Sequence, residues 1–195
     1  MKRLPYLLGA ATVAALMASA VSAQNVTGQV TVHGFVAPRC GSSYSGDSTF
    51  SGAIQLGELT QQNGTLSPSL AGSSANSPAG LATFLVGCTG TGSTVTVSAT
   101  RLSNPSAPQL AGSSNDVDFT VQANIAMAAG GFTTVNYTTA QALPSPTVAP
   151  ISGVFANVPG NFEVKVFGLS AENGSASFLV AGNYDATITV TVAPT

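Results

Sequence analysis

The chain predicts a single all-β sandwich. Short apolar segments alternate on a two-residue period, clusters of Gly, Ser, Asn and Pro separate them, and no stretch beyond residue 23 sustains a capped 3.6-residue period. A two-residue period places successive side chains on opposite faces of an extended chain, and several such segments with turn residues between them bury their apolar faces best by packing sheet on sheet. Without an internal repeat or a break in composition, the chain reads as one domain.

Residues 1–23 read as a secretory signal peptide. Lys2 and Arg3 supply a positive start, Leu4 to Met17 an apolar run, and Val21-Ser22-Ala23 a small-residue cleavage site. That run is too short and wrongly flanked for a membrane span, and no later segment approaches twenty uninterrupted apolar residues. The expected product is residues 24–195, exported and not inserted in a membrane.

Its first segment, Gln24 to Cys40, alternates cleanly. Val26, Gly28, Val30, Val32, Gly34 and Val36 share one face, and Thr27, Gln29, Thr31, His33 and Phe35 the other, which predicts a half-buried leading strand. Ser51 to Leu59 alternates Ile54 and Leu56 about Gln55 and predicts a second strand, and Thr60 to Gly80, with Pro68 and Pro78, a long loop. Leu81 to Cys88 and Ser93 to Arg101 read as a hairpin about the glycines of Cys88-Thr89-Gly90-Thr91-Gly92. Asp118 to Met127 places Phe119, Val121, Ala123 and Ile125 on one face, with Phe132 to Thr139 as its returning strand. Gln141 to Gly160 carries four prolines and predicts a connection with little ladder of its own. Asn161 to Leu169 alternates again, and a closing strand, Phe178 to Val192, points Tyr184, Ile188, Val190 and Val192 one way.

Beyond residue 23 the cations are Arg39, Arg101 and Lys165 and the carboxylates Asp47, Glu58, Asp116, Asp118, Glu163, Glu172 and Asp185, which leaves a net charge of −4. No basic patch offers a nucleic acid or an anionic lipid a footing, so neither is an expected partner. So few charges weaken the self-repulsion that keeps proteins monomeric, which favours an assembling protein. Cys40 and Cys88 both lie in the exported part, where an oxidising compartment favours one intramolecular disulfide.

Chemistry finds little to work with. His33 is the only histidine and lies on the polar face of the leading strand, so no acid–base constellation supports an enzyme, and neither metal nor cofactor is expected. Asp116 and Asp118 face one side of a strand entrance, where two carboxylates fall short of the six to eight oxygens typical of calcium sites.

Three stretches carry a resemblance: Gly28 to Cys40 (GQVTVHGFVAPRC), Phe84 to Ala99 (FLVGCTGTGSTVTVSA) and Ala181 to Val192 (AGNYDATITVTV). In these the chain resembles the pilin-like subunits of bacterial chaperone–usher fibres, including the secreted spore coat U domain group. It departs from many fimbrial pilins in ending on Ala-Pro-Thr, with no aromatic residue close by. The resemblance implies an immunoglobulin-like sandwich that lacks its last strand and is held by one disulfide. A periplasmic chaperone would lend a strand during export past an outer-membrane usher, and the leading extension of another copy, or of a related subunit, would replace it at the cell surface. Carried over residue by residue, Val26, Gly28, Val30 and Val32 within segment 24–33 would be the donor face, and Tyr184, Ile188, Val190 and Val192 would lie on the chaperone-facing C-terminal strand. Eight or nine donor residues would reach about 28 Å. The expected function is therefore a structural subunit of a secreted or cell-surface fibre. A single-domain adhesin or glycan-binding module of the same fold is the alternative; the absence of tryptophan removes the commonest sugar-stacking side chain.

Overall fold

The computed structural model describes residue 29, residues 31–42, 47–106, 108, 110–141 and 145–195. The signal peptide and three of the four donor residues, Val26, Gly28 and Val30, lie outside the described residues. The chain divides into two units, Met1–Phe35 and Val36–Thr195. In the first, Val32 and Phe35 are about nine-tenths exposed, and His33 is exposed as well. The sequence predicts a strand from Gln24 to Cys40, yet none forms at Gln29 or over residues 31–39. An alternating segment becomes a strand only when a neighbouring edge accepts its ladder.

The second unit is the predicted all-β sandwich. Its elements are β1 (Cys40–Ser42), α1 (Pro68–Ala71), β2 (Gly80–Phe84), β3 (Val86–Cys88), β4 (Gly92–Ala99), β5 (Leu102–Ser103), β6 (Ser113–Ser114), β7 (Asp116–Ala126), β8 (Phe132–Thr138), β9 (Thr147–Ser152), β10 (Phe162–Ala171), β11 (Phe178–Leu179) and β12 (Ile188–Pro194). One sheet runs β2-β10-β7-β5, with β8 also on β7; the other runs β12-β4-β9. Their facing surfaces make the core. Phe119, Val121, Ala123 and Ile125 of β7, Phe162, Val164 and Val166 of β10, and Val95 and Val97 of β4 are all buried. These are the alternate positions that the two-residue period marks.

Three elements depart from the sequence reading. The segments flanking Cys88-Thr89-Gly90-Thr91-Gly92 do not form a hairpin: β4 pairs with β12 and β9, while β3 pairs with β1 and β2 with β10, so the two segments lie in different sheets. Both segments have apolar inner faces, and these meet across the core. The proline-rich connection contributes β9, which includes Pro150 and tolerates it because β9 is an edge strand. The closing strand is divided: β11 pairs in parallel with β6, residues 180–187 form no extended ladder, and β12 begins only at Ile188. Tyr184 therefore lies outside β12.

β1 and β3 pair with Cys40 directly opposite Cys88, and the predicted disulfide joins them. Asn161, buried in the next turn, receives the Val86 N–H at 2.9 Å and donates to the Val86 carbonyl at 2.7 Å and the Ala156 carbonyl at 2.6 Å. The bridge spans 48 positions, and in the chain-entropy treatment such a loop is worth about 4 kcal/mol. A Cys40→Ala/Cys88→Ala variant should lose about 3 to 4 kcal/mol in urea denaturation, and reducing agent should move the wild-type midpoint to the same place.

Candidate functional site

Segment 50–59 is the part of the fold that lacks a place in either sheet. Its Phe50, Ile54, Leu56 and Leu59 pack their side chains against the core while Gln55 faces solvent. Two glycines in the contact let it approach. A Cβ on Gly80 would collide with Ile54 Cγ2 and sit 3.1 Å from Leu56 Cδ2, and a Cβ on Gly52 would lie 2.9 Å from Phe84. Phe50 stacks at 4.7 Å from the Phe84 ring and 5.8 Å from that of Phe162. The side chains are thus engaged, yet among the described residues the backbone of residues 50–57 makes no hydrogen bond.

Facing it is β12. Thr100 N–H donates to Thr187 O and Thr195 N–H to Gly92 O, and antiparallel pairing alternates from there, so residues 189, 191 and 193 turn their backbone groups toward β4. Ile188, Val190 and Val192 turn theirs the other way, toward segment 50–59, and no described residue pairs with that edge. Their side chains are half-buried and point into the core, whereas Thr189 and Thr191 are exposed.

Between these two unpaired walls lies a cleft of ≈ 1120 Å³ whose floor is the core itself: Leu102, Phe119, Val164 and Val166. It continues past Phe50 and Val190 into a smaller hollow of ≈ 260 Å³ beside β1 and the disulfide. The other end is built by residues 179–186. Asn104, itself buried, donates to the Ala181 carbonyl at 3.2 Å, and Gly182 adopts φ +147° where a Cβ would collide with that amide. The Tyr184 hydroxyl is shared between the carbonyls of Val180 (2.9 Å) and Ser114 (3.1 Å), and burial raises its pKa. Tyr184 is thus a fixture of the cleft's end. Glu58 and Asp185 stand on the rim there. Glu58 is held below its usual pKa by the Thr60 side-chain hydroxyl at 2.6 Å and the Thr60 backbone N–H at 3.2 Å.

The site is therefore a slot of mixed polar and apolar lining over core side chains, open to solvent and flanked by two stretches of backbone, residues 50–57 and β12, that are unpaired among the described residues. Chemically it can accept an extended peptide, which would complete hydrogen bonds on both sides and send alternate side chains into the core. Of the positions singled out by sequence, Ile188, Val190 and Val192 do line it, and Val32 is 89% exposed. The opposite wall, residues 50–59, carries the same alternation, but its lack of a ladder could not be read from the pattern.

The acidic pair in Asn115-Asp116-Val117-Asp118 serves the fold. Asp118 is buried, accepts from Thr139 Oγ1 at 2.9 Å and pairs with Arg101 Nε at 2.8 Å, and Arg101 also bonds Glu172. Asp116 accepts from Ser103 Oγ. Among the described residues no group of three His, Cys, Asp or Glu side chains is placed to hold a metal ion, and no helix is long and apolar enough to cross a membrane. No protein-family model, curated protein or solved structure matches the chain.

The glycine contact gives a direct check on this wall. Gly80→Ala forces Ile54 out of its seat and should cost about 1 to 3 kcal/mol, the usual range for overpacking, in chemical denaturation. Gly57→Ala meets no atom within 4 Å but takes on strain at φ +72°, and should cost about 1 kcal/mol.

Proposed function

We propose that the chain is a structural, non-enzymatic subunit of a secreted or cell-surface fibre, in which segment 24–33 of one copy fills the cleft of the next. The observation that carries this reading is the pair of facing backbones at residues 50–57 and β12, unpaired among the described residues, with a cleft between them that is floored by core side chains. A fold left open in this way is a strand short. Within the same chain stands an alternating Val/Gly segment, and Val32, its one described donor residue, is 89% exposed.

Symmetry supplies the direction. The chain joins the second unit at the disulfide end, where the Arg39 N–H donates to Thr89 Oγ1 at 2.9 Å and Thr89 N–H returns to the Arg39 carbonyl at 2.8 Å. A head-to-tail contact that does not close extends into a filament. To repeat without blocking itself, the donor must leave one copy at the disulfide end and approach the next from the opposite end, beside Glu58 and Asp185. The inserted strand then runs antiparallel to β12.

Energetically the contact is well supplied. Each buried valine contributes about 1.5 kcal/mol and each completed hydrogen bond roughly 1 kcal/mol net. Before assembly the same open edges need covering, the task that the resemblance assigns to a periplasmic chaperone.

Purified chain, loaded without boiling on a denaturing gel, should give a ladder that collapses on heating. Deleting residues 24–32 should abolish the ladder and leave a disulfide-bonded domain. Val30→Asp, which would carry a carboxylate into the cleft over its core side chains, should weaken assembly by several kcal/mol. A ladder that survives the deletion would refute the reading.

A further inference from the structure

Arg39 lies at the disulfide end with the exposed Asp47, whose backbone pairs with Ser42 of β1, Glu58 and Asp185 lie at the opposite end, and both ends expose apolar side chains. At the disulfide end Arg39 is exposed, and among the described residues it has no ion pair, whereas Arg101 is held by Asp118 and Glu172 and Lys165 lies 3.2 Å from Glu163. Beside it the turn after β3 brings loops together: Gly90 lies against Pro38, and Thr91 O accepts the Gly153 N–H. Loop 153–160 in turn leans on the β7–β8 turn through Ala128 N–H to Val154 O. This end exposes Phe132 (68%), Val154 and Val158. At the opposite end Glu58 and Asp185 stand on the cleft rim and neither has an ion pair among the described residues. Leu110 and Phe178 are exposed there, with Phe178 packed close to Gly64.

We infer that these ends are complementary faces of a second interface between successive copies, with Arg39 of one copy docking at the Glu58/Asp185 rim of the next. The inference rests on the strand-exchange reading and specifies what sets its register. Arg39 is three residues behind Val36, about 10 Å along an extended chain, so a leading segment seated in the cleft delivers this guanidinium to the cleft mouth. The backbone bonds to Thr89 hold Arg39 on its own domain, so the ion pair fixes how far the donor slides in. An alternating strand tolerates a two-residue slip, because every second side chain presents the same face. A charge at one position does not repeat and breaks that degeneracy. The apolar residues on the two ends then close against each other, and the rim charges draw the ends together before insertion.

The test follows the heat-sensitive ladder of the purified chain over time. Arg39→Glu should slow its growth about tenfold at low salt, and Glu58→Lys/Asp185→Lys should do the same from the other side. Combining all three substitutions should restore the wild-type rate, which also excludes misfolding as the cause. In 1 M salt, where screening acts within about 3 Å, single and combined variants should converge. A wild-type ladder that requires residues 24–32 yet ignores every charge change and salt would overturn this interface and leave strand exchange standing. A ladder that persists without residues 24–32 would overturn both.

Discussion

Among the described residues, segment 50–57 and the outer edge of β12 leave backbone hydrogen bonds unmade, and this is the constraint on which the rest of the structure depends. Unpaired strand edges invite another chain, and most folds cover them, twist them away or arm them with charge. Here both edges face one slot, and the alternate positions Ile54, Leu56, Ile188, Val190 and Val192 are apolar. Everything around the slot holds it open. Gly80 and Gly52 admit segment 50–59 to the core without a ladder, the disulfide ties β1 beside β3 at one end, and Asn104, Gly182 and Tyr184 set the loop at the other.

The scarcity of charge takes on meaning in this setting. Asp118, Arg101 and Glu172 form a local network, and Asn124 Nδ2 donates to Glu163 at 2.8 Å, which with Lys165 holds the Glu163 carboxyl below its ordinary pKa. Of the other charges, Glu58 and Asp185 stand at one end of the sandwich, and Arg39 lies at the other with the exposed Asp47, whose backbone pairs with Ser42 of β1. A surface built mainly of Ser, Thr, Asn and Gln allows close approach of copies. The few charges at the ends can then decide orientation, because little else on the surface competes with them.

Much of the fold is legible in the chain because burial here is periodic. Phe119, Val121, Ala123 and Ile125 of β7, and Phe162, Val164 and Val166 of β10, are buried as their two-residue spacing requires, and two cysteines have one way to pair within a chain. Partner choice is less legible. Alternation says which face of a strand is buried and is silent on which edge it joins, so Leu81–Cys88 and Ser93–Arg101 look like a hairpin and lie in different sheets. Tyr184 shares the parity of Ile188 and Val190, but Gly182 and the Asn104 amide bend the chain before β12 begins.

By itself the sequence determined the all-β class, the buried faces of the long strands and the disulfide, since each follows from local spacing or residue chemistry. The tertiary structure alone decided that segment 50–59, which alternates like any strand, would lie against the core without a ladder, and that β12 would face it across an open cleft. That outcome depends on how two sheets from distant parts of the chain close over one core, which the alternation of a single segment does not encode.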